Sequence, residues 1–339
     1  MSVFRKLLFP FSILYDGVTF VRNKLFDTGV FRSTAFDIPV IVVGNLSVGG
    51  TGKTPQIEYL VRLLQKNCKV AVLSRGYKRK STGFLLGNDN TKVQEIGDEP
   101  FQFFNKFKEI YVAVDEDRVH GINKLKSLEN PPDLILLDDA FQHRKVNGKT
   151  NVLLTPYNDL YIDDLVLPAG NLREGSRGAN RASVVVVTKC PGDLSMEEQD
   201  AIRLRLKLTT EQHLFFTTIQ YSKILKSEKK EISLDDIEDS KVLLVTGIAN
   251  PTPLVSYLKS KKIEVEHVKF GDHHNFSEGE IIDLKNRFEK ITSKNKVILT
   301  TEKDFMRLKS RLDVYYIEIE VAFLSDGKMF DNLVKGYVG

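Results

Sequence analysis

An α/β fold with a mostly parallel sheet and helices on both faces follows from three features of this 339-residue sequence. Short apolar runs rich in β-branched residues recur, helix-like stretches separate them, and one run feeds directly into a glycine-rich loop. Strands that alternate with helices form parallel βαβ units, and burial on both faces makes their strands read as unbroken apolar runs. Strands are expected at 38–43, 70–73, 110–114, 134–137, 151–154 and 183–188. Helix-like stretches fall at 56–65, 100–106 and 119–128, and another at 195–212 precedes a strand-like piece at 214–220. The charged stretch 223–239 reads as a connector or an exposed edge. A smaller α/β pattern follows, with strands at 242–246, 265–270, 297–300 and 314–319 and helices at 252–261 and 278–288. Three parts are expected: an N-terminal helical segment over 1–36, a main domain over 37–222, and a smaller α/β domain over 223–339.

The run 38–43 continues into Gly44-Asn45-Leu46-Ser47-Val48-Gly49-Gly50-Thr51-Gly52-Lys53-Thr54. Glycines let backbone N–H groups converge on phosphate oxygens, and the helix that follows adds the positive end of its dipole. In such a loop Lys53 reaches the β- and γ-phosphates of ATP and the Thr54 hydroxyl meets Mg²⁺. Ser47, Val48, Gly49, Gly50, Thr51, Gly52, Lys53 and Thr54 are therefore the candidate nucleotide-binding residues, and the sheet is of the P-loop NTPase type. Ser47 occupies the position where the usual pattern has its leading glycine. A glycine-rich turn with a chance Lys-Thr is the competing explanation.

Leu134-Ile135-Leu136-Leu137-Asp138-Asp139 has the form of a strand that ends in a metal-holding acid. Asp138 would hold Mg²⁺, and Asp139 is a second carboxylate within reach. A core strand ending in a solvated acid pair is the plainer alternative. Asp98, in Gly97-Asp98-Glu99-Pro100, enters a helix near the carboxyl ends of the strands. There it can take a proton from an attacking hydroxyl, or simply cap the helix. The loop from Ser74 through Arg75 and Tyr77 to Lys80 could clamp anionic groups, and the Arg173 guanidinium suits phosphate. Each is also consistent with solvated surface charge. Asp272, His273 and His274 show no metal partner at a readable spacing.

The bulk composition excludes some classes. A net charge of +4 is too mild for bulk nucleic-acid binding, and two distant cysteines, Cys68 and Cys190, fit a reducing compartment. No segment carries the roughly 20 apolar residues of a spanning helix. Residues 3–26 place Leu7, Leu8, Phe11, Leu14, Tyr15, Val18, Val21 and Leu25 near a helical period, flanked by Arg5, Lys6, Arg22 and Lys24. Such an amphipathic helix either lies on a membrane surface or packs on the core.

The ordered set of motifs resembles the tetraacyldisaccharide 4′-kinases, the lipid A 4′-kinases of Gram-negative bacteria. It runs from Gly44–Pro55 through Ser74-Arg75-Gly76-Tyr77, Gly97–Pro100, Leu137-Asp138-Asp139 with Phe141-Gln142-His143, and Leu172-Arg173-Glu174. It continues through Gly247–Pro251, Asp272-His273 and Thr301-Glu302-Lys303-Asp304. The resemblance implies transfer of the ATP γ-phosphoryl group to the 4′-hydroxyl of a tetraacylated disaccharide 1-phosphate, at the cytoplasmic face of the inner membrane. It implies Lys53, Asp98, Asp139, Arg173 and His273 as catalytic residues, with Thr54, Asp138 and Asp139 at Mg²⁺. Arg75, Tyr77, Asn45 and Gln142 would face the substrate. The second domain would close over the site, and the N-terminal helix would meet the membrane.

Ala140, Asn171 and Gly175 depart from the family's usual glycine or proline at those places. Alternatives from other classes are a membrane-associated P-loop ATPase switch and a soluble small-metabolite kinase. Against the switch, Val48 stands where such proteins often carry lysine. Oligomeric state is left open, with a monomer as the default.

Overall fold

The structure, a computed structural model, describes Arg5 and residues 7–272, 274–293 and 295–338. It divides into two compact units. One comprises the residues up to Ile219 together with those from Val321 onward; the other runs from Gln220 to Glu320.

The first unit opens with helix α1 (Phe9–Asp27), whose proline in the first turn leaves no hydrogen bond unmade. Its strands are β1 (Val40–Asn45), β2 (Val70–Ser74), β3 (Tyr111–Val114), β4 (Leu134–Asp138), β5 (Thr150–Pro156), β6 (Val184–Thr188) and β7 (His213–Lys226, of which the residues to Ile219 fall in this unit). The strand order is β7-β6-β5-β1-β4-β2-β3, with every one of these pairs parallel. All residues of β1, β2, β4 and β6 are buried. Helices α2 (Lys53–Leu64) and α3 (Asp98–Lys106) cover one face, where Ile57, Leu60, Val61 and Phe103 pack on Ile41 and Val43. Helix α4 (Arg118–Lys126) covers the other, where Ile122 and Leu125 pack near Val40 and Val42. β1 lies where the strand order reverses, so the crevice at its carboxyl end is the natural ligand position.

Three expectations about local structure are corrected. The helix expected over 195–212 is α5 (Met196–Leu206), and it stops because Lys207 takes a left-handed φ of 48°. The stretch 223–239 is not a bare connector: β7 runs on to Lys226, and Ile224–Lys226 pairs antiparallel with Glu231–Ser233. Finally, the residues from Val321 on belong to the first unit, not to the smaller domain.

The second unit contains the parallel strands β8 (Lys241–Thr246), β9 (Glu264–Lys269), β10 (Lys296–Thr301) and β11 (Tyr315–Phe323, of which the residues to Glu320 fall in this unit), in the order β9-β8-β10-β11. Helices α6 (Thr252–Ser260), α7 (Glu278–Lys290) and α8 (Glu302–Leu308) alternate with these strands. A last helix, α9 (Gly327–Val338), returns to the first unit. Its Phe330 and Val334, one turn apart, are fully buried against the core that holds Ile57 and Phe215, and this apolar pair explains the placement of the C-terminal segment.

Candidate active site

The glycine-rich loop leaves β1 and enters α2 through Gly52, whose φ of 91° suits glycine and turns the chain into the helix. Two residues at the end of β6 brace the loop from the side. Thr188 Oγ1 donates to the carbonyl of Thr51 at 2.8 Å, and the Lys189 ammonium donates to the carbonyl of Gly50. Burial, with the charge of Lys53, lowers the pKa of Lys189.

A second strand-like contact brings Arg173 to this loop. Val48 N donates to Asn171 O at 2.8 Å, Ser47 bridges Leu172, and Arg173 N donates to Leu46 O at 2.7 Å. Asn171 N in turn donates to the Asp164 carboxylate at 3.0 Å, a bond that proline could not make. Arg173 Nη1 then reaches Asp139 Oδ1 at 2.9 Å. Lys53 Nζ sits 3.6 Å from the same oxygen and donates to Asn45 Oδ1 at 3.2 Å. Asp139 holds a left-handed φ of 47°, a conformation that short polar residues tolerate. Burial alone would raise its carboxyl, but Lys53 and Arg173 hold it below its ordinary value.

Its neighbour has the opposite environment. Asp138 is buried, Ser74 Oγ donates to its Oδ2 at 3.0 Å, and its Oδ1 is buried without a hydrogen-bond partner. Burial first, then the charges of Glu99 and Asp139, push its pKa up to about 7. A buried carboxylate oxygen left without a partner is chemically suited to a cation. The two acids of the sequence pair are thus distinct: Asp138 keeps one buried oxygen without a partner, while Asp139 is held by two bases.

Asp98 is the first residue of α3, whose N-cap position is held by Gly97 and so has no side-chain cap. A Cβ on Gly97, whose φ is 90°, would meet Tyr77 O at 2.9 Å. This close approach packs the Arg75–Tyr77 loop beside Asp98. Arg75 and Tyr77 are exposed. The buried guanidinium of Arg118 donates to Asp115 O at 2.9 Å. Burial lowers its pKa to about 10 while Asp138 opposes the shift and Arg75 adds to it.

Asn45 and Gln142, expected at the substrate, serve the loop. Asn45 is fully buried, donating to Ser47 O and accepting from Lys53. Gln142 Nε2 donates to Asn45 O at 2.9 Å and to Glu174 Oε1 at 3.1 Å. His273 lies outside the described residues. In the second unit, Asp304 accepts from Gly247 N at 2.8 Å and Lys303 pairs with Asp272 at 3.1 Å.

Ser74, Glu99, Arg118, Glu174, Thr188 and Lys189 were not among the expected site residues. Ser74 had a signal, since the pairing of Leu73 with Leu137 sets it level with Asp138. The others depend on contacts between distant segments.

His143, next to Gln142, carries a pH consequence. Burial, with the charge of Arg118, lowers its pKa from 6.5 to about 4. The unfolded chain therefore takes up this proton near 6.5 and the folded chain only near 4. Its contribution to stability is intact above pH 6.5 and falls as the pH drops through that window, by about 3 kcal/mol at most. His143→Gln should flatten denaturant-midpoint profiles between those pH values; an unaltered slope would contradict the assignment.

Comparison with known proteins agrees with this geometry. A family model described as tetraacyldisaccharide-1-P 4′-kinase matches residues 4–338. The chain is 50% identical to a tetraacyldisaccharide 4′-kinase of Flavobacterium johnsoniae, covering 100% of this chain and 98% of the relative. It is 49% identical to the enzyme of that name from Flavobacterium psychrophilum, with 100% and 98% covered. A crystal structure of LpxK from Aquifex aeolicus in complex with ATP superposes with a TM-score of 0.80 at 31% identity, covering 99% of this chain and 100% of that one. With the phosphate loop, the acid pair and Arg173 assembled in that fold, the chain belongs to the tetraacyldisaccharide-1-P 4′-kinase family.

Proposed function

We infer that this protein is an ATP-dependent kinase that phosphorylates the 4′-hydroxyl of tetraacyldisaccharide 1-phosphate in lipid A biosynthesis, giving lipid IVA. One observation carries the reading beyond family membership. Lys53 and Arg173 both approach Asp139 Oδ1 beside the phosphate loop, and two cations held together there would suit the charge that develops during phosphoryl transfer.

In this reading Ser47 to Thr54 bind the ATP phosphates through backbone N–H groups and Lys53. Thr54 and Asp138 hold Mg²⁺, and the unpartnered Oδ1 of Asp138 fits that task. Among the described residues no group of three or more His, Cys, Asp or Glu forms a metal cage, and Mg²⁺ bound with phosphates needs only one or two carboxylates. The cation, when bound, neutralises charge on the transferred group. Asp98 accepts the proton of the 4′-hydroxyl, Arg173 steadies the phosphates, and His273 completes the catalytic set. Arg75 and Tyr77, exposed beside Asp98, meet the phosphorylated sugar. The test is transfer from γ-labelled ATP: label in the lipid supports the kinase, whereas labelled inorganic phosphate alone would favour an ATPase switch.

The same reading places the protein peripherally on the cytoplasmic face of the inner membrane. Among the described residues no helix is long and apolar enough to cross a membrane. α1 instead leaves Phe11, Leu14, Val18 and Val21 exposed at helical spacing, while Ser12, Tyr15, Arg22 and Asn23 bond to the first unit. An exposed apolar stripe with basic residues at hand suits a lipid surface. Leu14→Glu with Val18→Glu should weaken binding to anionic vesicles about tenfold or more while nucleotide binding holds. Unchanged vesicle binding would remove α1 from the membrane contact.

A further inference from the structure

Beside Arg173 stands Glu174, a carboxylate that the reaction itself does not use. It is 2% exposed, yet three donors from different segments converge on it. Asn23 Nδ2 of α1 reaches Oε2 at 2.5 Å, while Gln142 Nε2 and Arg181 Nη2 reach Oε1 at 3.1 and 2.8 Å. Arg181 also lies over the ring of Phe141, its guanidinium carbon 4.8 Å from the centroid. Gln142 continues the chain to Asn45 O at 2.9 Å, and Asn45 Oδ1 accepts from Lys53 at 3.2 Å. Tyr15 OH adds a parallel strut from α1, donating to Arg173 O at 3.0 Å.

We propose that Glu174 is a positioning residue for phosphoryl transfer: it fixes Gln142, and through Gln142 and Asn45 the ammonium of Lys53, with Asn23 of α1 as the outer anchor. A buried carboxylate satisfied from three directions has one low-energy arrangement, and satisfied polar networks of this kind rigidify what they join. Lys53 meets charge that grows on the transferred group during transfer, so a displaced ammonium loses rate more than it loses ADP affinity. The segments joined are those that strand order alone does not align: α1, the loop after Asp139, and the loop carrying Arg173. The role rests on the kinase reading above.

The test is a double-mutant cycle on wild-type-normalised transfer to the lipid, with nucleotide affinity measured separately. Glu174→Ala and Gln142→Ala should each lower kcat about tenfold or more, with ADP affinity changed less than about threefold. The double variant should lose no more than the worse single one, because both act along one path. Asn23→Ala should lower kcat by a smaller factor and add nothing when Gln142 is already alanine. Glu174→Gln, which keeps an acceptor oxygen, should recover part of the loss. Glu174→Ala also strands Arg181, so if it does not fold, the Asn23→Ala and Gln142→Ala cycle, which leaves that ion pair whole, decides. Losses that multiply, or variants with wild-type kcat, would overturn the proposal. A wild type that transfers no phosphate to the lipid would instead overturn the kinase reading.

Discussion

Lys53→Ala is expected to lower kcat for phosphoryl transfer about 10³-fold, with the fold retained. The reason lies in its position. Its ammonium stands between Asn45 Oδ1 at 3.2 Å and Asp139 Oδ1 at 3.6 Å, at the point where the phosphate loop becomes α2. Alanine removes a cation from a largely buried site where charge builds up on the transferred group. Arg173 remains paired with Asp139 at 2.9 Å, so the loop keeps its second tether and the variant should fold. Arginine is not a remedy, because a planar guanidinium cannot stand in for a compact ammonium in the same space. Rapid-quench transfer with labelled ATP measures the effect, and a variant retaining more than about a tenth of wild-type kcat would mean the lysine is not part of the chemistry.

Asp98→Ala follows, with an expected loss of about 10² to 10⁴ in kcat and little change in ATP affinity. Asp98 is the first residue of α3 and the N-cap position is held by Gly97, so the substitution leaves the N-cap residue itself unchanged. Glu99, one residue on, bears on Asp138 through its charge and remains in place. Asp98→Asn keeps the shape and removes the proton acceptor, so it should be about as inactive as alanine. Wild-type turnover in either variant would remove Asp98 from the mechanism, leaving His273 as the remaining candidate base.

The parallel strands were legible because both faces are buried, which turns β1, β2, β4 and β6 into apolar runs that only strands of that length would use. The phosphate loop and the acids of β4 were legible for a related reason: each follows immediately on such a run. Arg173 was visible as a basic residue in a loop, but its approach to Asp139 depends on Leu46–Val48 pairing with Asn171–Arg173. No local pattern announces a pairing between segments so far apart. Asn45 and Gln142 were expected against the substrate; burial and their bonds to Lys53 and Glu174 turn them inward. The second role of α1 was likewise hidden, because its spacing of apolar residues suits a lipid surface and a protein core equally. Only the bonds from Tyr15, Arg22 and Asn23 reveal that its polar side holds the site loops. α9 was missed altogether, for its buried pair, Phe330 and Val334, matters only once Phe215 and Ile57 stand opposite.

The central claim is direct transfer of the ATP γ-phosphoryl group to the 4′-hydroxyl of the acylated disaccharide 1-phosphate. Phosphorus NMR of the lipid recovered after incubation with ATP and Mg²⁺ in detergent micelles tests it. The account predicts a second phosphomonoester signal correlated with the H-4′ proton, formed in step with ADP. ADP formation with a lipid still carrying its single phosphate, or a new phosphate at another hydroxyl, would contradict it.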